Sequence, residues 1–201
     1  MLTALLKQDL LFYVLFGFVI IFSLKIYSES ELFNLKCIIA TEDGHKYCVR
    51  NRVHIKEAAN LLAKTTNNAT EFVNKLYEKY PNDARVKRLK KGFNPKKVQE
   101  TLPTSELTAY SENKGEKLAF CLSKTKHSET LIDESTLMFV YFHELAHVMS
   151  VSVGHKKEFW DNFKFILTEA KKMNMYNPVD YKKKNQPYCG MSISDNPYYD
   201  I

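Results

Sequence analysis

Two histidines four residues apart with an acid between them, His143-Glu144-Leu145-Ala146-His147, are the part of this chain best equipped for chemistry. On a helix, residues at i and i+4 project from one face, a turn apart. Two imidazoles so placed can take two corners of a tetrahedral zinc site, and the carboxylate of Glu144 beside them can hold a water and accept its proton. The rest of the stretch from Val140 to Met149 is uncharged, which suits a metal-binding helix buried in a core. A single histidine on an apolar helix is usually a satisfied core residue. A spaced pair with an intervening acid and a third histidine downstream is poorly explained that way.

A catalytic zinc site generally has three protein ligands and one open position. His155 follows His147 by eight residues, which on an uninterrupted helix would carry it about 12 Å along the axis. The chain must therefore turn back after Met149. Ser150, Ser152 and Gly154 offer the place, with Gly154 able to take a positive φ. A second helix is expected over about 156–174, with Phe159, Phe163, Ile166, Ala170 and Met173 on one face and Trp160 packed near the turn. Glu158 and Glu169 stand as alternative third ligands.

The order of metal helix, short turn, third histidine and Lys156-Lys157-Glu158-Phe159-Trp160 resembles the WLM, SprT and YgjP-like group of small zinc metallopeptidases. The likeness covers roughly residues 131–170. In the WLM and YgjP-like members a third histidine closes the turn, usually after five intervening residues; here there are seven. The resemblance implies a compact α+β zincin-like domain: a central metal-binding helix, a packing helix and a small antiparallel sheet. It also implies zinc as cofactor, His143, His147 and His155 as ligands, Glu144 as general base, and a protein or peptide substrate. A strand before the metal helix borders the cleft in that group and pairs with extended substrate; Leu118 to Leu122 is the candidate here, though its continuous apolar character argues partly for an internal strand.

The remaining elements must position this site. With 201 residues, 45% hydrophobic and 26% charged, the chain suits one domain plus appendages. A formal charge of +6 permits an anionic partner without demanding one. Cys37, Cys48, Cys121 and Cys189 show no C-x-x-C spacing, which argues against a cysteine zinc site. Cys37 and Cys48 flank a turn at Glu42-Asp43-Gly44-His45 and can face each other across a hairpin; free thiols are the other reading.

Residues 10–24 form an unbroken apolar run that reaches Tyr27 if Lys25 snorkels, enough for one membrane span. A cleaved signal peptide fits less well, because Lys7 is offset by Asp9 and no A-x-A site follows. The chain is thus expected to divide into an N-terminal flank (1–9), a transmembrane anchor (10–27), a linker (28–35) and a metallopeptidase-like domain (36–201). Flanking charges are too balanced to orient the anchor.

Within the domain, a strand hairpin is expected over 36–51 and two helices over 54–80, parted by 65–68. Asn68-Ala69-Thr70 is a glycosylation acceptor pattern. Arg85, Lys87, Arg88, Lys90, Lys91, Lys96 and Lys97 form a basic segment that could meet nucleic acid, anionic lipid headgroups or an acidic protein substrate, or be a solvated helix face and loop. Strands are expected over 106–111 and 116–123, Asp133 as the N-cap of the metal helix, and a Tyr-rich tail folding back on the domain, one tyrosine of which could reach the site. The functional expectation is a membrane-anchored zinc metallopeptidase. Its rivals are a metal-stabilised assembly module without turnover and a membrane-tethered nucleic-acid-binding protein using residues 85–97.

Overall fold

A computed structural model describes residues 2–30, 34–126 and 128–200, with the side chains of 2–9 left aside. Residues 31–33 of the expected linker lie outside the described residues. In chain order the elements are α1 (Leu2–Glu29), β1 (Leu35–Ile39), β2 (Lys46–Arg50), α2 (Ile55–Lys79), α3 (Ala84–Gly92), β3 (Val98–Glu100), β4 (Ala109–Glu112), β5 (Lys117–Phe120), α4 (Glu134–Met149), α5 (Lys157–Lys172), β6 (Gln186–Tyr188) and β7 (Met191–Ile193), ending in a 3-10 turn (Pro197–Tyr199).

The fold is α+β, but the sheet is mixed rather than antiparallel, a correction to the expectation. Its order is β1-β2-β3-β5-β4. The outer pairs β1/β2 and β4/β5 are antiparallel hairpins, while β2/β3 and β3/β5 run parallel. The reason lies in the connection. Between β2 and β3 the chain crosses through α2 and α3, and a crossover of that length returns a strand in the same direction. β5, offered by the resemblance as the substrate-pairing strand while its continuous apolar run argued for an internal one, is internal between β3 and β4, and β4 is the edge on that side.

α2 is one 25-residue helix, not two. Its buried positions, Ala58, Ala59, Leu62, Ala63, Ala69, Phe72, Val73 and Leu76, keep three- and four-residue spacing across the polar Thr65–Asn68 stretch. The hydroxyls there are absorbed by the helix itself: Thr65 Oγ1 donates to Leu61 O at 2.9 Å and Thr70 Oγ1 to Thr66 O at 2.7 Å. Asn68, of the acceptor pattern, sits mid-helix and donates to Glu134.

α4 runs through the centre. Asp133 caps it, accepting from Thr136 N at 2.9 Å, as its residue type implies. Leu137, Tyr141, Phe142, Leu145, Ala146 and Met149 are fully buried. Phe142 meets Phe72 of α2 at 5.1 Å, Tyr141 stacks on Phe120 of β5 at 4.4 Å, and Phe139 meets Phe163 of α5 at 5.1 Å. Helices on two sides and the sheet on another thus hold the metal helix by aromatic packing.

The tail packs back, with Tyr176, Tyr181 and Tyr188 buried. Both cysteine pairs are disulfides: Cys37–Cys48 across the β1/β2 hairpin, and Cys121–Cys189, which ties the β6/β7 turn to the end of β5.

Candidate metal centre

His143 and His147 lie on the last turns of α4, and His155 comes back to them through a loop held at both ends. Ser150 caps the helix, and its hydroxyl donates to Ala146 O at 2.7 Å. Glu158, in the first turn of α5, accepts from the backbone N–H groups of Val151 and Ser152 at 2.8 and 2.9 Å. Those bonds pull its carboxyl down to about 2. Gly154 then takes φ +78°, a conformation costly to a residue with a Cβ, and delivers His155.

The terminal carbonyls of α4 need partners, because no further helical turn supplies them. Two cations provide them. Lys114 Nζ donates to His147 O, Ser150 O and Ser152 O at 3.3, 3.0 and 2.7 Å, and Arg88 Nε donates to Met149 O at 3.0 Å. Positive charge at this end also favours the helix dipole. Lys114 reaches there from the β4/β5 turn, where Asn113, Lys114 and Gly115 all take positive φ. A Cβ on Gly115 would lie 2.8 Å from Gly92 O and 2.9 Å from Val148 of α4, so only glycine lets the turn press this close.

The three imidazoles converge. One ring nitrogen from each of His143, His147 and His155 lies within 4.8 Å of the others. Nε2 of His155 stands 3.0 Å from Nε2 of His143, near the roughly 3.3 Å that two ligands at about 2.0–2.1 Å make across a tetrahedral zinc. Phe159 of α5, fully buried, forms the floor beneath all three, at 4.8, 4.3 and 4.7 Å from His143, His147 and His155. Trp160 lies 5.8 Å from His155, as the spacing suggested. Glu158 and Glu169 are engaged elsewhere, Glu158 in the loop and Glu169 with Lys79 and Lys172.

Burial sets the charge states. It pushes His143 down to about 3, with the two neighbouring imidazoles adding to the effect, and His147 down to about 4. Neutral imidazole is the form that ligates metal. Glu144 is 3% exposed and its carboxyl is pushed up to about 8 by burial. Its Oε2 is buried without a hydrogen-bond partner, and an orphaned carboxylate oxygen at such a place implies something further to bond. The donor set and the orphaned oxygen both fit a zinc ion with a water beside Glu144.

The sequence profile of the WLM domain matches residues 50–198. The chain belongs to the WLM domain family. WLM is a zinc metallopeptidase-like domain, and the match runs from the end of β2 into the 3-10 turn, leaving α1, β1 and the rest of β2 outside. An uncharacterized protein of Acanthamoeba polyphaga mimivirus is 28% identical over 188 residues, covering 88% of this chain and 90% of its own. Uncharacterized proteins of Invertebrate iridescent viruses 3 and 6 are 34% and 33% identical over 83 and 70 residues, which cover 50% and 38% of their lengths. No solved structure matches.

Several residues important to this WLM site were not singled out from sequence. Lys114 was legible only as part of a turn signal, and the capping role of Glu158 is masked by its being a plausible ligand. Tyr188 is the tail tyrosine that lines the cleft, its hydroxyl donating to Thr108 O at 2.9 Å. Of the basic segment, Arg85 and Arg88 are half-buried, Arg85 on Asp83 and over Phe165 and Arg88 on α4, while Lys87, Lys90, Lys91, Lys96 and Lys97 stay exposed, Lys90 bonding Asn74 and Lys97 pairing with Glu116.

Proposed function

We propose that this WLM domain is a zinc-dependent metallopeptidase held at a membrane by α1. The observation that carries the reading is the convergence of three imidazoles within 4.8 Å beside a buried glutamate oxygen with no partner. His143, His147 and His155 would hold zinc, which supplies Lewis acidity, acidifying water and polarising a peptide carbonyl. Glu144 acts as general base, taking a proton from the attacking water and returning it to the leaving amine. β4, the sheet edge lining the cleft, offers main-chain groups for pairing with an extended polypeptide.

The anchor rests on composition. Leu10–Glu29 is a 20-residue apolar stretch of helix with none of it buried in the molecule, and at 1.5 Å per residue it covers the roughly 30 Å hydrocarbon core of a bilayer. The two disulfides support a domain that matures where thiols are oxidised.

Metal content and hydrolysis test the reading together. Purified protein should carry one zinc per chain and cleave unfolded casein, and chelation should abolish cleavage until zinc is restored. Zinc-loaded protein inert towards every unfolded polypeptide would favour a metal-stabilised assembly module instead.

A further inference from the structure

Two hollows meet at the histidines, and they differ in chemistry. One, of about 520 Å³, is walled by Leu107, Phe139, Trp160, Phe163, Met191 and Ile193. The other, of about 470 Å³, adds Tyr110, Ser111, Asn113 and Lys114 to an apolar lining of Leu107, Ala109 and Val153. Leu107, Ala109, His143, Glu144 and His155 line both, so the reacting groups lie where a half walled by large apolar side chains meets a more polar half. Leu107, Trp160 and Met191 remain 59%, 45% and 51% exposed. Large apolar side chains clustered at the mouth of a cavity mark a place that something apolar covers.

The apolar wall is built rather than loosely draped. Met191 and Ile193 stand on β7, which pairs with β6 through Tyr188↔Met191 and Gln186↔Ile193. The turn between these strands is tied to the main sheet three times: by the Cys121–Cys189 disulfide, by Cys189 N to Ser123 O and by Gly190 N to Lys124 O, both 2.9 Å. The Tyr188 hydroxyl closes the other side on Thr108. A wall fixed in this way is preorganised, so filling it costs little ordering entropy.

Strand direction gives the polarity. Glu106 and Thr108 line only the apolar half, Leu107 and Ala109 both, and Tyr110, Ser111, Asn113 and Lys114 only the more polar half, so the chain through β4 runs from the first to the second. A peptide added antiparallel to this edge, the more stable pairing, runs from the polar half to the apolar half. The residue following the scissile bond then meets the apolar wall. Building on the proteolytic reading above, we infer that this domain cleaves extended polypeptide on the amino side of a large apolar residue, leucine or phenylalanine, whose side chain fills the hollow between the β6/β7 hairpin, Trp160 and Phe163.

Two measurements on the full chain in phosphatidylcholine vesicles test this. The first compares kcat/KM for peptides differing only in the residue after the cleaved bond. Leucine or phenylalanine should exceed alanine by about tenfold or more, as apolar pockets discriminate, and aspartate should be cleaved least; Met191→Lys and Ile193→Asp should each erase most of the preference. The second needs neither metal nor turnover. Trp160 is the chain's single tryptophan, so in the presence of chelator its emission should shift with a blocked leucine tetrapeptide at concentrations where the alanine and aspartate peptides leave it unchanged, and both variants should weaken that response. Hydrolysis indifferent to the residue after the bond would overturn the inference while leaving the proteolytic reading standing. Selective binding without hydrolysis of any peptide would overturn the proteolytic reading and the cleavage with it, leaving the hollow only as a binding site for a large apolar side chain. A shift given by decanoate and by none of the peptides would assign the hollow to an acyl chain and overturn it.

Discussion

Replacing Lys114 by methionine isolates the clamp on the end of the metal helix. The substitution keeps the aliphatic stem and removes the ammonium that donates to His147 O, Ser150 O and Ser152 O. Hydrogen bonds to a charged group contribute roughly 1.5–3 kcal/mol each, and charge at a helix C-terminus a further ~0.3–1 kcal/mol. The longest bond, at 3.3 Å, contributes least, and the amine is only part-buried, so water can take over some of the freed carbonyls. The net loss should therefore be about 2–3 kcal/mol. With a urea slope of about 2 kcal/mol/M for a domain of this size, the denaturation midpoint of chelator-treated protein should fall by about 1 M. Zinc affinity, read by competition with a fluorescent chelator, should weaken by about tenfold or more, because one clamped carbonyl belongs to His147 and another to the loop carrying His155. A midpoint within about 0.3 M of the parent, together with unchanged zinc affinity, would refute the clamp.

Three further outcomes follow from particular contacts. Glu158→Gln should destabilise the loop at neutral pH, and the gap to the parent should close under acid: its folded pKa lies below the unfolded value, so its contribution is full above about 4.5 and fades as pH falls towards about 2, which urea titrations at several pH values would read. Cys189→Ser should cost about 4 kcal/mol from the loop of 68 residues that Cys121–Cys189 closes, measurable by urea denaturation, whereas an unchanged midpoint would mean the bridge does not form. Deleting residues 1–28 should move the protein from the carbonate-resistant membrane fraction to the soluble one with its circular dichroism otherwise preserved; a deletion that stays membrane-bound would contradict the anchor.

The local site was legible because its chemistry is written at short range. Spacing alone places His143 and His147 on one face, and a glycine before His155 announces the turn that returns it. Asp133 likewise reads as a cap from residue type. What spacing could not show was how distant segments meet. Thr65–Asn68 looked like a break, because free Ser, Thr and Asn compete with helices, yet their hydroxyls fold into the ladder of α2 and the apolar stripe carries on. The continuous apolar run of β5 already pointed to a central strand, but which strand forms the edge at the site depends on the crossover through α2 and α3, so β4 was not picked out. Lys114, 33 residues from the helix end it secures, and Cys189, 68 residues from its partner, act through tertiary approach that no local pattern encodes.

The central claim is that Glu144 moves the proton while the three histidines hold the metal, and Glu144→Gln separates the two most directly. Glutamine keeps the size and hydrogen-bonding reach of the side chain but cannot serve as a base. Zinc content and peptide hydrolysis should be measured on the same preparations of parent, Glu144→Gln and His155→Ala. Glu144→Gln should hold one zinc per chain with hydrolysis reduced by about 100-fold or more, and His155→Ala should lose zinc and hydrolysis together. A zinc-loaded Glu144→Gln protein cleaving at the parental rate would contradict that claim.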